Sequence, residues 1–361
     1  MSRITPLFAL LTASIVAALV AFSPEAQADE RPGREPGLPY IECTPQLAKW
    51  QACNPEFGDK DMYGWLNTNQ NGLAGAVKSK QWARVPVGVV AVNASFVVNN
   101  QVPPFEDLRP NGEYTFAQAF LVSPAGSGTN YGDSVDIPVR TVAFGSIPVE
   151  VTLQVRQRRD ARNLPVPINI DSLNYRDDEA MPDGSVRVTF EPTRIRASVA
   201  VRVRSLKVDG VDVGLGTRCQ TPHTAQLDVV SEKFVAYDRG EIPDRSIKDF
   251  DPAHGFQGVN GGTLNGSISI PSFGGCATRS GDDVSPILTS AISGSGNPVS
   301  IRTGSLTCTR TTPDGFSFLP PKPGAVTDPK DCKVQYPEAN PRIVPIPKQF
   351  DIPDNAPSRI P

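Results

Sequence analysis

The chain has 361 residues, of which 39% are hydrophobic, 20% charged and 7% aromatic, so it contains enough apolar material to form a folded core. Its 30 glycines and 36 prolines argue against an architecture of long helices. The formal net charge of −3 argues against a dedicated nucleic-acid-binding protein, because such domains carry a strong basic excess. With two histidines and six cysteines, we expect no cofactor and no histidine-rich metal centre.

An export signal is predicted at the N-terminus. An apolar run from Ile4 to Phe22 follows Arg3 and leads to Ala26-Gln27-Ala28, an A-x-A cleavage pattern. The helix-breaking Pro24 favours cleavage over retention of this run as a membrane anchor. We therefore expect a mature chain that begins at Asp29, has no membrane span, and is secreted or associated with the cell envelope.

Disulfide bonds are the expected state of the six cysteines, because thiols are oxidised outside the reducing cytosol. The six are Cys43, Cys53, Cys219, Cys276, Cys308 and Cys332, and no two have the C-x-x-C spacing of redox or zinc sites. Cys43 and Cys53 are close in sequence and far from the others, so they are the natural first pair. Pairing Cys219 with Cys276 closes a short loop and leaves Cys308 for Cys332. The alternative pair Cys276–Cys308 stays open.

The order of patterns predicts an all-β protein stapled by disulfides. An irregular arm that contains cysteines follows the signal peptide, then come two β-sandwich-like regions and an extended proline-rich tail. The segment Arg176–Ser185 separates the two regions, because its acids, proline and glycine cannot continue a strand ladder. The predicted bounds are 1–28 for the signal peptide, 29–83 for the arm, 84–176 and 185–318 for the β-regions, and 319–361 for the tail.

Apolar and alternating runs predict the individual strands. In chain order they cover 85–98, 116–122, 139–144, 148–156, 186–190, 194–203, 226–230, 262–270, 287–292 and 299–308. From Val149 to Val155 apolar residues alternate with the polar series Glu150 to Arg156, which predicts one buried and one solvated face. Asp209-Gly210 lies between two apolar runs and predicts a tight hairpin.

Arginines provide the strongest functional pattern. Ile195 and the following odd positions to Val203 are apolar, whereas four arginines occupy the other face of the same strand, namely Arg194, Arg196, Arg202 and Arg204. Arg156 and Arg158 extend the neighbouring alternating strand. Like charges side by side on a sheet are destabilising unless carboxylates or a bound anion intervene. The candidate intramolecular partners are Glu150, Asp160 and Glu191. The functional alternative is a site for an acidic polymer such as a cell-wall glycan, since guanidinium matches carboxylate and phosphate geometry.

Catalytic motifs are weak. The sequence has no G-x-S-x-G elbow, no H-E-x-x-H, no P-loop and no dinucleotide fingerprint. The alternative to a binding protein is a secreted hydrolase that uses His254 with a neighbouring carboxylate such as Asp251. Calcium is a weaker alternative, because acidic residues crowd one loop at Asp177, Asp178 and Asp183, but their spacing does not match an EF-hand.

The C-terminal half resembles exported β-rich proteins of actinobacteria that have no assigned activity. Three motifs, each leading to a cysteine, give this resemblance over about residues 186–310: Leu206–Val211 before Cys219, Gly262–Gly275 before Cys276, and Pro286–Asn297 before Cys308. The resemblance implies an exported β-rich fold and supplies no catalytic residues. The sequence therefore predicts a non-catalytic binding or structural component of the envelope or extracellular space, which binds no nucleic acid.

Overall fold

The computed structural model describes residues 64–98, 111–125, 128–143, 146–177, 179–238, 251–258 and 261–304. The predicted all-β class is confirmed, and within these residues there is one short helix, α1, at Ser285–Ile292. The strands are β1 Gly64–Ala76, β2 Gln81–Val98, β3 Gly112–Ala125, β4 Gly128–Tyr131, β5 Ile137–Ala143, β6 Ile147–Gln157, β7 Ile168–Arg176, β8 Val186–Phe190, β9 Arg194–Val208, β10 Val211–Asp212, β11 Ala225–Val230, β12 Phe234–Asp238, β13 Phe256–Gln257, β14 Gly261–Ile270 and β15 Gly294–Thr303.

All of these strands belong to one antiparallel sheet that curls on itself. Twelve follow the order β12-β8-β7-β3-β2-β1-β15-β14-β11-β9-β6-β5, and β4, β10 and β13 attach to β3, β9 and β14. The curl brings β2, β3 and β7 against β5, β6 and β9. The two layers therefore belong to a single sheet, and strands of both predicted regions share it, because β6 adjoins β9.

The concave face of the curl holds most of the apolar core. Val199, Val201 and Val203 of β9 are buried together with Val149 and Val151 of β6. Across the layer, Ala117 and Ala119 of β3 pack with Val90 and Val92 of β2. Ile168 of β7 packs against both of these clusters, and Ile168 and Ile170 both pack against the cluster around Leu264. The alternation of apolar residues thus fixes which face of each strand turns inward.

The segment Arg176–Ser185 has a different role from the predicted boundary. It joins β7 to β8, which are antiparallel neighbours with Arg176 opposite Val188. The acids and Gly184 do end a ladder, as expected, but the chain then turns back along the strand that it has just left. The independence of the two predicted regions stays a prediction.

Two elements differ from expectation. The stretch 64–76, which is part of the expected irregular arm, forms β1 in the middle of the sheet between β2 and β15. Gly72 is needed there, since a Cβ at this position would lie 2.9 Å from the carbonyl oxygen of Ser300. The predicted strand 287–292 is wrong, because these residues belong to α1, whose first turn contains Pro286. Proline suits the first turn of a helix, where its missing N–H would have no partner.

The predicted hairpin is confirmed. Asp209 and Gly210 both have positive φ, at 49° and 77°, which is the backbone of the two-residue turn that aspartate and glycine favour. Val211 pairs with Val208 across it. The solvated face of β6 is wrong at one position, because Gln154 is 3% exposed and donates its amide to the carbonyl of Ser134. Alternation alone cannot show that a neighbouring segment covers part of a polar face.

One predicted disulfide is confirmed and the other cysteines lie elsewhere. Cys219 and Cys276 are bonded and fully buried, and they hold the segment after β10 against the segment before α1. Cys43, Cys53, Cys308 and Cys332 fall outside the described residues, as do the signal peptide with its cleavage site after Ala28 and the proline-rich tail. Their pairing, and export itself, stay predictions.

Candidate functional site

The candidate site is the convex, solvent-facing side of β9 and its neighbours. Along β9 the odd positions from Ile195 to Val203 are buried, Arg194 and Arg196 are exposed, and Arg202 is half-buried. β9 has a β-bulge at Arg204, which is the extra residue opposite the step from Thr152 to Leu153 of β6. Arg204 is exposed. The structure therefore places all four predicted arginines away from the core. We call this side, with the cations and carboxylates described below, the arginine face.

Arg194 and Arg196 share a carboxylate from the next strand. Asp228 of β11 lies opposite Arg196 in register. Its Oδ1 accepts a hydrogen bond from Arg194 Nε at 2.7 Å, Arg194 Nη2 reaches its Oδ2, and Arg196 Nε lies 3.6 Å from that oxygen. The Arg194 guanidinium holds the pKa of the Asp228 carboxyl below its usual value, and Asp228 raises the pKa of Arg194. This two-pronged pair shows that the face accommodates carboxylate groups.

A second carboxylate, Asp133, is shared in the same way. It is 4% exposed and lies beside the end of β6, where it forms a bridge opposite Arg156. Arg156 Nε donates to its Oδ1 at 3.0 Å, and Arg159 Nη2 lies 3.6 Å from the same oxygen. Arg159 also donates to the carbonyl of Tyr131. Arg158, the last predicted arginine of this group, is exposed between them.

The far end of the face repeats the pattern. Glu150 of β6 lies between Arg140 of β5 and Lys207 of β9, at 3.2 Å and 3.8 Å. Arg204 lies 3.5 Å from Asp136. The arginine face therefore sets nine cations against four carboxylates. The cations are Arg140, Arg156, Arg158, Arg159, Arg194, Arg196, Arg202, Arg204 and Lys207, and the carboxylates are Asp133, Asp136, Glu150 and Asp228.

The pairing partners expected from sequence are mostly wrong. Glu150 pairs with Arg140 and Lys207, Asp160 with Arg162, and Glu191 with Lys233. None of the six predicted arginines pairs with these three acids among the described residues. The acids that do pair come from β11 and from the loop before β5, and only the sheet order brings them to the arginines. No sequence signal identifies them.

His254 has no catalytic arrangement in the described part of the chain. Its side chain is 66% exposed, with Nε2 at 3.7 Å from Asp251 and Nδ1 at 3.7 Å from Glu232. Both separations exceed hydrogen-bond length, and no hydroxyl of a described residue bonds to the imidazole. The hydrolase alternative stays a prediction without geometric support.

The acidic loop also shows no ligand arrangement. Asp183 accepts hydrogen bonds from the N–H and hydroxyl of Ser185, and Asp177 lies 3.9 Å from Arg187, while Asp178 lies outside the described residues. Among the residues that the structure describes, no three His, Cys, Asp or Glu side chains are grouped so that they could hold a metal ion. Within the same residues, no helix is long and apolar enough to cross a membrane.

Comparison of the chain with family models, with curated proteins and with solved structures finds no match in any of the three.

Proposed function

We propose that this protein is an exported, non-catalytic component of the cell envelope or extracellular space that binds an acidic polymer through the arginine face. The observation that supports the proposal is the ratio of cations to carboxylates on this face. The whole chain carries a net charge of −3. Against this background, Asp228, Asp133 and Glu150 are each shared by two cations.

Such sharing leaves positive charge uncompensated. Each carboxylate can neutralise one cation, so the second cation remains a partner for an external anion. A bound polyanion would relieve the repulsion between arginines that lie side by side on the sheet. Guanidinium groups spaced along a strand suit a repeating ligand, because residues of one face recur about every 7 Å along a strand.

The proposal is tested by retention of the mature protein on immobilised polygalacturonate. We expect retention to weaken as salt rises, because exposed charge contacts are screened over about 8–10 Å at physiological ionic strength. The double variant Arg196→Ala/Arg202→Ala should elute at lower salt than the wild type. The matched control Arg176→Ala/Arg187→Ala removes two cations of β7 and β8 that pair with Asp238 and Asp177, and it should elute with the wild type. Equal elution of the two double variants, or retention that survives half-molar salt, would contradict the proposal.

A further inference from the structure

Arg202 differs from the other arginines of β9. Arg194, Arg196 and Arg204 each lie within ion-pair distance of a carboxylate. No carboxylate of the described residues lies within that distance of Arg202. Its Nε is enclosed by the protein and has no hydrogen-bond acceptor. A half-buried guanidinium without a carboxylate partner can form new hydrogen bonds to an external anion. We expect such a bond to stabilise Arg202 more than the arginines that are already paired.

Two amide side chains flank Arg202. Gln154 lies directly opposite it on β6, and Gln220 lies opposite it on the other side through an isolated bridge. Residues opposite one another in antiparallel strands point to the same face with Cβ atoms about 5 Å apart. The three side chains therefore form one row across the arginine face, with the guanidinium in the middle.

The unmet hydrogen bonds of this row are of opposite kind. Gln154 donates its amide to the carbonyl of Ser134, but its Oε1 is enclosed and has no donor. Arg202 Nε lacks an acceptor, and Gln154 Oε1 lacks a donor. A ligand with an anionic oxygen and a hydroxyl close together would satisfy both, because the oxygen accepts from Arg202 and the hydroxyl donates to Gln154.

From this row we infer that Arg202, Gln154 and Gln220 form a binding site for one acidic sugar unit. Arg202 binds its carboxylate, and the two amides bind ring hydroxyls. The inference rests on the proposed function and specifies its ligand as a glycan that contains uronic acid. Polyphosphate supplies anionic oxygens without hydroxyl donors along its chain, so it leaves Gln154 Oε1 unmet. Polyglutamate carries its carboxylates at the end of flexible side chains, away from its N–H donors.

The side chain that follows this row along β9 is small. Ala200 occupies the next outward position along β9, opposite Arg156, and its methyl group is small among residues such as Arg194, Arg196 and Ser198 on this face. Because Arg202 Nε and Gln154 Oε1 are enclosed, the two side chains must turn outward to receive the ligand. Side-chain rotation of this kind is common at binding surfaces that keep their backbone fixed.

The test is calorimetric titration of the full mature protein with trigalacturonate at low salt. Arg202→Lys keeps the positive charge but cannot donate two parallel hydrogen bonds to one carboxylate, so we expect about a tenfold loss of affinity. Gln154→Glu supplies an internal carboxylate beside Arg202 and should abolish binding. Arg196→Lys, on the same strand but beside Asp228, should lose only about twofold to threefold. Arg187→Lys on β8, away from the face, should match the wild type. Thermal unfolding of each variant checks its fold, and Gln220→Glu replaces Gln154→Glu if that chain does not fold.

The outcomes separate the inference from the proposed function. If the wild type binds trigalacturonate and Arg202→Lys loses no more affinity than Arg196→Lys, the sugar-binding site at Arg202 is wrong, but the proposed binding by the arginine face is supported. If the wild type prefers polyphosphate or polyglutamate of equal charge, the acidic-sugar assignment is overturned while the proposed function stands. If the wild type binds none of the three polymers, the proposed function fails and the inference fails with it.

Discussion

Asp133 is the only buried carboxylate among the described residues, and it joins two parts of the sheet. It accepts hydrogen bonds from the Asn130 amide at 2.7 Å and from Arg156 at 3.0 Å, next to Arg159. Its neighbours Gly132 and Ser134 donate backbone hydrogen bonds to Leu121 of β3 and to Val155 of β6. The carboxylate therefore lies within ion-pair distance of two arginines at the point where the two layers of the curl come together.

Replacing this carboxylate should destabilise the protein strongly. In Asp133→Asn the charges of Arg156 and Arg159 lose their partner, and breaking a buried ion pair in this way costs about 3 kcal/mol. The free energy of unfolding is measured by urea titration at constant slope. The control Asp177→Asn removes an exposed carboxylate that lies 3.9 Å from Arg187, and it should cost about 0.5 kcal/mol or less. Similar decreases in the free energy of unfolding of the two variants would show that Asp133 does not stabilise the fold more than an exposed carboxylate does.

Tyr114 gives a prediction at high pH. Burial, and then the hydrogen bond that its hydroxyl donates to Asp171, raise the pKa of Tyr114 far above its ordinary value of about 10. A raised pKa in the folded state contributes stability that is fully present below pH 10 and is lost as pH rises above it. The wild type should therefore lose stability above pH 10 more steeply than Tyr114→Phe, as measured by unfolding at several pH values. Parallel curves for the two proteins, or ionisation of Tyr114 in the native state near pH 10, would contradict the shift.

At the scale of single elements, the sequence predicts faces better than partners. The alternation in β9 correctly separates Val199, Val201 and Val203 from the arginines, because period-two burial is a local property of a strand. The same argument fails at Gln154, whose cover depends on the distant Ser134. It also misses that Asp228 and Asp133 are the acids that pair with the predicted arginines. Cross-strand partners follow from sheet order, and a sequence pattern does not contain that order.

Two elements, β1 and α1, differ from the sequence prediction for local physical reasons. Two glycines of β1, Gly72 and Gly75, are residues typical of loops. Gly72, however, permits the close approach of β1 to the backbone of Ser300. In α1 the isoleucines favour a strand, but Pro286 starts a helical turn, and the N–H and hydroxyl of Ser285 are bonded to Asp283. Local composition is a weak guide where packing or a local hydrogen bond decides the conformation.

Gly266 tests how closely β14 approaches β11. A Cβ at this position would lie 2.1 Å from the carbonyl oxygen of Asp228 and 2.8 Å from the Cα of Val229. Both atoms belong to backbone, so Gly266→Ala should lower the free energy of unfolding by about 3 kcal/mol. In the control Gly216→Ala the nearest atom is the carbonyl oxygen of Ala277 at 3.6 Å, and stability should stay within about 1 kcal/mol of the wild type. Equal unfolding midpoints for the two variants would contradict the close approach.

At the scale of the whole molecule, the sheet order links distant parts of the sequence. β1 pairs with β15, and β6 from the first predicted region pairs with β9 from the second along most of its length. The core also crosses the boundary, since Ile168 and Ile170 of β7 contact the clusters that hold Val90 and Ile195. Neither predicted region has a complete set of neighbours within its own bounds. Such long-range pairing also slows folding, because the chain loses the entropy of closing long loops before the stabilising contacts form.

The fragment 84–176 should therefore not fold alone. Without β9, the inner residues Val149 and Val151 of β6 lose the strand against which they are buried, and without β1 the strand β2 becomes an unprotected edge. We expect the isolated fragment to bind a hydrophobic dye and to lack cooperative unfolding. In the full chain, all three tryptophans lie at or before Trp82, so their fluorescence reports the N-terminal part, whereas far-UV circular dichroism reports every strand. Coincident urea transitions by the two probes are expected of a single cooperative unit. A cooperatively folding fragment, or two separated transitions, would instead establish the regions as independent domains.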